Sequence, residues 1–219
     1  MLAVRAPHTG AMGYEENVPR IPAAAIAPED AEMFQRLQDR EVTPKVHLFL
    51  GAHEGPDVVD ANVVGEIRGR EKPGEVVVVG GHLDSWDLSC GAHDDGAGAV
   101  LSLETGRLLK DLAITPRRTI RIVLFANEEA GLDGGKAFLA AHRAELDTIV
   151  GALEADAGGA RPTGFTVQGS HEAGDRIESF MPVFTPLGVL TMRRGGSGAD
   201  ISPLVKAGVP GVGLNTDGA

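Results

Sequence analysis

Residues 75–98 read EVVVVGGHLDSWDLSCGAHDDGAG, and this stretch decides the fold. Val76 to Val79 form a short β-branched run between Pro73-Gly74 and Gly80-Gly81. A run so short, apolar at every position and bounded by turn formers, predicts a strand buried on both faces, as in a parallel sheet. Beyond it, His82, Asp84, Asp94 and Asp95 fall on glycine-rich turns, where little side-chain bulk keeps polar groups apart. Sites in open parallel sheets form outside the carboxyl ends of strands. The stretch therefore predicts half of a metal site.

On either side of this stretch, strand and helix patterns alternate. Residues 97–112 predict a helix with Val100, Leu101, Leu103, Leu108 and Leu109 on its buried side. TIRIVLFA (119–126) is a second buried strand, 132–146 a helix and 149–155 a strand. A helix over 172–187 is expected to fray at Pro182 and Pro186; a strand (189–192), a helix (199–207) and a strand (209–214) follow. Upstream, 46–50 and 61–67 predict an antiparallel pair at one sheet edge, joined by a Gly/Pro/Asp-rich loop. The fold class is α/β, a mostly parallel mixed sheet with helices on both faces.

Residues 1–44 differ in texture, punctuated by Pro7, Pro19, Pro22, Pro28 and Pro44, with one clear helix starting near Pro28. Its stripe of Ala31, Phe34 and Leu37 is too small to make a core of its own. The division expected is 1–44 and 45–219.

Composition excludes several classes. Thirty-one acidic against 20 basic residues give a net charge of −11, without any Lys/Arg block, which disfavours nucleic acid and anionic membranes as partners. Cys90 is the only cysteine, so neither an internal disulfide nor a thiolate zinc knuckle can form. No apolar run reaches the roughly 18 residues of a membrane span, and Met1 to Arg5 lack the layout of a signal peptide.

Three strands run into acidic or imidazole side chains: 76–79 into His82 and Asp84, 119–126 into Asn127-Glu128-Glu129, and 149–155 into Asp156. At one rim of one sheet these assemble the N/O donor set that suits zinc and, less well, manganese or cobalt. Singly, each has a plainer reading: His82 a turn histidine, Glu128-Glu129 acidic residues at a helix start, Asp94-Asp95 a turn or N-cap. Asp84, two residues after His82, can accept its ring N–H. His93 reads as a loop histidine.

Four segments, GGHLDSWDLSCGAHDDGAG (80–98), RRTIRIVLFANEEAGLDGG (117–135), ALEADAGG (152–159) and GGSGADISPLVKAGVPGVGLNTDG (195–218), closely resemble the co-catalytic zinc exopeptidases of the aminopeptidase and glutamate carboxypeptidase type. PHTGAMGYEENVPRIPAAAI (7–26) resembles the protease-associated lid domain of one subgroup. The resemblance covers nearly the whole chain. It implies a phosphorylase/hydrolase-like architecture, with residues 1–44 the C-terminal part of a lid and linker and 45–219 the peptidase domain. It further implies two zinc ions: His82 and Asp156 on one, Glu129 on the other, Asp94 bridging, Asp84 behind His82 and Glu128 as general base. A cis peptide at Asp94–Asp95 is implied as well.

The same family places a fifth ligand, a histidine, shortly after the GLNTDG segment; here the sequence ends at Ala219 and its last histidine is His171, so a fragment of a longer enzyme is expected. The expected activity is hydrolysis of a terminal bond in dipeptides or short peptides. Arg193 and Arg194 are the basic pair nearest the expected cleft and candidates for a substrate carboxylate. The resemblance also implies a homodimer and an exported parent protein. Two other readings stay open: a metal-free binding domain of the same fold, and a zinc acyltransferase of the glutaminyl cyclase type.

Overall fold

The computed structural model describes residues 13–51, 53, 55–86 and 89–217. It divides into two compact units, residues 1–58 and 59–219. In the first, α1 (Pro28–Gln38) begins on its proline, carries Glu29 and Asp30 in the first turn and Arg36 in the last, and buries no residue. That charge order complements the helix dipole, and the helix is the surface element expected. Residues 46–50 form no strand, and Phe49 is 91% exposed. The antiparallel pair expected between them and a strand over 61–67 is not formed among the described residues.

That strand is β1 (Val63–Ile67), which runs antiparallel to β3 (Arg118–Phe125). The second unit is built on a sheet in which β2 (Lys72–His82), β3, β4 (Ile149–Glu154) and β7 (Gly211–Thr216) are parallel. β5 (Pro162–Gln168) runs antiparallel to β7, and β6 (Thr191–Arg194) parallel to β5. The described strands lie in the order β1-β3-β2-β4-β7-β5-β6. This is the mixed, mostly parallel sheet expected. In register, His82 stands opposite Phe125 and Gly80 opposite Glu154, so three strands end side by side at one rim.

Alternation along β3 feeds two cores. Val123 and Phe125 join Val76, Val78 and Phe138 on one face; Ile122 and Leu124 pack with Ala99 on the other. The first face is covered by α3 (Asp133–Ala141) and α6 (Ser202–Lys206), which bring Phe138 and Leu204. The second is covered by α2 (Gly96–Asp111). Here the expected burial is inverted: α2 buries Gly98, Ala99, Ser102 and Gly106, while Val100, Leu101, Leu103 and Leu108 are exposed. Close approach is the cause. A Cβ on Gly98 would lie 1.6 Å from the Ala155 carbonyl oxygen, so only small residues fit beneath the helix.

The helix expected over 172–187 breaks near its prolines into α4 (His171–Glu178), α5 (Met181–Phe184) and a 3₁₀ turn at 185–187. No helix among the described residues is long and apolar enough to cross a membrane.

Candidate metal centre

β2 delivers His82, whose side chain is fully buried, to the carboxyl rim. Its Nδ1 lies 2.9 Å from the Asp84 carbonyl oxygen. A carbonyl only accepts, so Nδ1 holds the hydrogen and Nε2 faces the rim. Nε2 is 3.1 Å from Asp94 Oδ1, 3.5 Å from Asp156 Oδ1 and 4.0 Å from Glu128 Oε2. Ligand atoms of His82, Asp94 and Asp156 all lie within 4.8 Å of one another. The three strand ends expected to converge do so.

Asp84 works differently from the expectation. Its backbone carbonyl, not its carboxylate, takes the imidazole N–H; the carboxylate stands 3.6 Å from Nδ1 and instead accepts from the amides of Glu128 (2.9 Å) and Glu129 (3.1 Å). One residue thus orients the histidine with its main chain and the Glu-Glu turn with its side chain.

Asp94 is joined to Asp95 by a cis peptide bond, as the resemblance implies. Asp95 is fully buried and accepts from His82 N (3.0 Å) and from Gly98 N (2.9 Å), capping α2. The plainer reading of this pair, an N-cap, is correct for Asp95, while Asp94 projects at the rim. His93 is more than a loop residue: its Nδ1 accepts from Gly159 N at 3.3 Å and its ring covers Gly158, linking the Asp94 loop to the one after Asp156.

The electrostatics describe a site short of positive charge. Burial alone would push the His82 imidazole down, but the carboxylates, Asp156 foremost, hold it up to about 10. Asp94 is nearer, yet its side chain is 62% exposed against 26% for Asp156, and solvent screens it. Burial lifts Glu128 above the ordinary carboxylate range, and the carboxylates of Asp156, Glu129 and Asp84 reinforce it against His82. Burial also lifts Glu129, whose Oε1 is buried without a hydrogen-bond partner. A cation would answer all three, and an imidazole with carboxylates is a donor set zinc accepts.

Two buried carboxyls behind the rim escaped the sequence reading. Glu154 accepts from Ala199 N and Ile201 N, both at 2.8 Å, and burial pushes it up to about 7. Asp200 has both carboxyl oxygens buried and unpartnered, and burial pushes it up to about 8. Glu154 is the last residue of β4, and its only signal was an acidic side chain closing an apolar strand; Asp200, in the turn before α6, stands at no ligand spacing.

Arg193 and Arg194 are not brought to the cluster. β6 is four strands from β2, about 19 Å at the usual interstrand spacing. Arg194 is engaged there by the His171 carbonyl, Asp175 and Glu178 of α4.

A mostly parallel sheet with an imidazole and carboxylates converging at its carboxyl rim defines a class of proteins able to hold a metal ion there. Comparison with known proteins narrows it. A model of peptidase family M28 matches residues 62–219. Carboxypeptidase Q of Mus musculus is 42% identical over 215 residues, covering 98% of this chain and 46% of its own length. A peptidase M28 precursor from Shewanella amazonensis SB2B superposes with a TM-score of 0.88 at 38% identity, over 99% of this chain and 49% of that one. BSAP, a zinc aminopeptidase from Bacillus subtilis, shares the fold, with a TM-score of 0.58 at 24% identity over 70% of this chain and 39% of that one. The chain belongs to peptidase family M28, a metallopeptidase family, and spans about half the length of the curated relatives it matches.

Proposed function

We propose that the protein carrying this chain is a metalloexopeptidase that removes a terminal residue from dipeptides or short peptides. The observation that carries the reading is the placement of Glu128 within 4.0 Å of His82 Nε2, beside Asp94 and Asp156, with burial raising its proton affinity. His82 and Asp156 would hold one zinc ion, Glu129 the other, with Asp94 between them. Zinc, when bound, polarises the scissile carbonyl and acidifies water. Glu128 takes a proton from the attacking water as its oxygen bonds to the carbonyl carbon, then returns it to the amine nitrogen as the C–N bond breaks. Burial, which raises the proton affinity of Glu128, favours both the uptake and the return of that proton. Asp84 holds the base and its neighbour in place through their amides.

The names of the relatives, carboxypeptidase Q and zinc aminopeptidase, support peptide hydrolysis without giving its direction. Residues 1–44 as lid remnant, a homodimer and an exported parent are parts of the same proposal and rest on family resemblance. The test is a panel of free, N-blocked and C-blocked dipeptides given to the zinc-loaded protein and to its Glu128→Gln variant. Hydrolysis should need zinc and fall 100- to 10,000-fold or so in the variant with zinc content retained. Cleavage of N-blocked substrates would assign a carboxypeptidase direction. A protein that holds no zinc and cleaves none of them would leave only a binding domain.

A further inference from the structure

The turn that carries Glu128 and Glu129 is irregular and must be held. Between β3 and α3, Asn127 and Leu132 both adopt left-handed backbone conformations, at φ 56° and 63°. Non-glycine residues there are strained, so the surroundings must impose the shape. Asp84 grips the top of the turn through the two glutamate amides. Its base is closed elsewhere. Gly134 N donates to the Ala126 carbonyl at 2.9 Å, and the side chain of Asn62, immediately before β1, spans the same two residues. Asn62 Oδ1 accepts from Ala126 N at 3.0 Å, while its Nδ2 donates to the Gly134 carbonyl at 2.9 Å. A Cβ on Gly134 would lie 2.5 Å from Asn62 Oδ1 and 2.4 Å from the Ala126 carbonyl oxygen, so the clasp requires glycine there.

We infer that Asn62, which touches neither metal nor substrate, is a positioning residue: its carboxamide clasps Ala126 to Gly134 and so sets where the Glu128–Glu129 turn stands at the rim. The inference rests on the proposed roles of Glu128 and Glu129. An amide suits the task because it offers one acceptor and one donor at fixed separation, matching one N–H and one C=O. Aspartate keeps only the acceptor, and alanine keeps neither. Asn62 reaches the turn from 64 and 72 residues away in sequence, so the turn's shape depends on the edge strand being docked.

The experiment compares the full-length protein with its Asn62→Ala, Asn62→Asp and Gly134→Ala variants in hydrogen exchange, zinc content, melting temperature, kcat and KM. In Asn62→Ala, amides of residues 127–133 should exchange about tenfold faster while those of β4 and α2 keep their protection. Its kcat should fall about 100-fold with KM within threefold, as expected for a displaced base. Asn62→Asp should lie between, and Gly134→Ala should reproduce the effect from the other side of the clasp. Unchanged exchange at 127–133, or a kcat loss that only tracks the folded fraction, would overturn the inference. Should Asn62→Ala not fold, Asn62→Asp carries the same comparison. A parent protein without zinc or peptidase activity would defeat the proposed function instead, and the exchange result would still decide for or against the clasp.

Discussion

Replacing Asp84 by asparagine separates what its carboxylate does from what its backbone does. The carbonyl that orients His82 is untouched, and side-chain size is conserved. What changes is the acceptor: the carboxylate takes the amides of both Glu128 and Glu129, whereas an asparagine oxygen can take one and its NH₂ then faces the other. A hydrogen bond to a charged group contributes about 1.5–3 kcal/mol, and the Asp84 side chain is only 24% exposed, so little is recovered from solvent. A loss of about 2 kcal/mol in orienting the turn corresponds to roughly 30-fold. This lies inside the 10- to 100-fold usually lost when a residue behind a metal ligand is changed. Competition with a chromophoric chelator measures the zinc affinity directly, alongside circular dichroism to show that the fold persists. Expected is a 10- to 100-fold weaker affinity with an unchanged spectrum. An affinity within twofold of the parent would refute the role given to these two hydrogen bonds.

Other outcomes follow from burial and charge. Without metal, Glu154 (about 7) and Asp200 (about 8) hold protons more tightly folded than at their ordinary values of 4.5 and 3.8. The stability they confer is complete below about pH 4 and is lost as pH rises through 7 to 8. His82, raised from 6.5 to about 10, adds stability that is likewise lost only on the alkaline side. Denaturant titrations of the metal-free protein should therefore show lower stability at pH 8.5 than at pH 6; a rise over that interval would contradict the burial argument. Zinc must displace the His82 proton, so its uptake at pH 7 should release about one proton from that residue, read by calorimetry in buffers of different ionisation enthalpy. Gly98→Ala should destabilise the fold by about 3 kcal/mol, because its methyl meets the Ala155 carbonyl at 1.6 Å; a near-neutral change in melting temperature would mean that α2 can lift off the sheet.

The parallel centre of the sheet was legible because Val76–Val79 and TIRIVLFA are apolar without interruption, a pattern that only double-sided burial requires. β5 was not, since Pro162 and Gly164 break its run and its pairing with β7 comes from a distant segment. The face of α2 was misread for a physical reason: leucine counts predict a buried side only where a helix stands at ordinary distance, and this one lies against backbone. At the site, the rule that ligands gather at carboxyl ends of strands brought His82, Glu128 and Asp156 together from sequence alone. Their individual roles came from family resemblance rather than spacing. Asn62, Glu154 and Asp200 stayed hidden because their meaning lies in hydrogen bonds and burial contributed by segments tens of residues away.

Whether this rim is a metal centre is decided by soaking crystals of the protein in zinc and collecting anomalous diffraction on both sides of the zinc edge. A peak should lie about 2.0–2.2 Å from His82 Nε2 and from carboxylate oxygens of Asp94 and Asp156. A map with zinc bound elsewhere and nothing between those three side chains would contradict it.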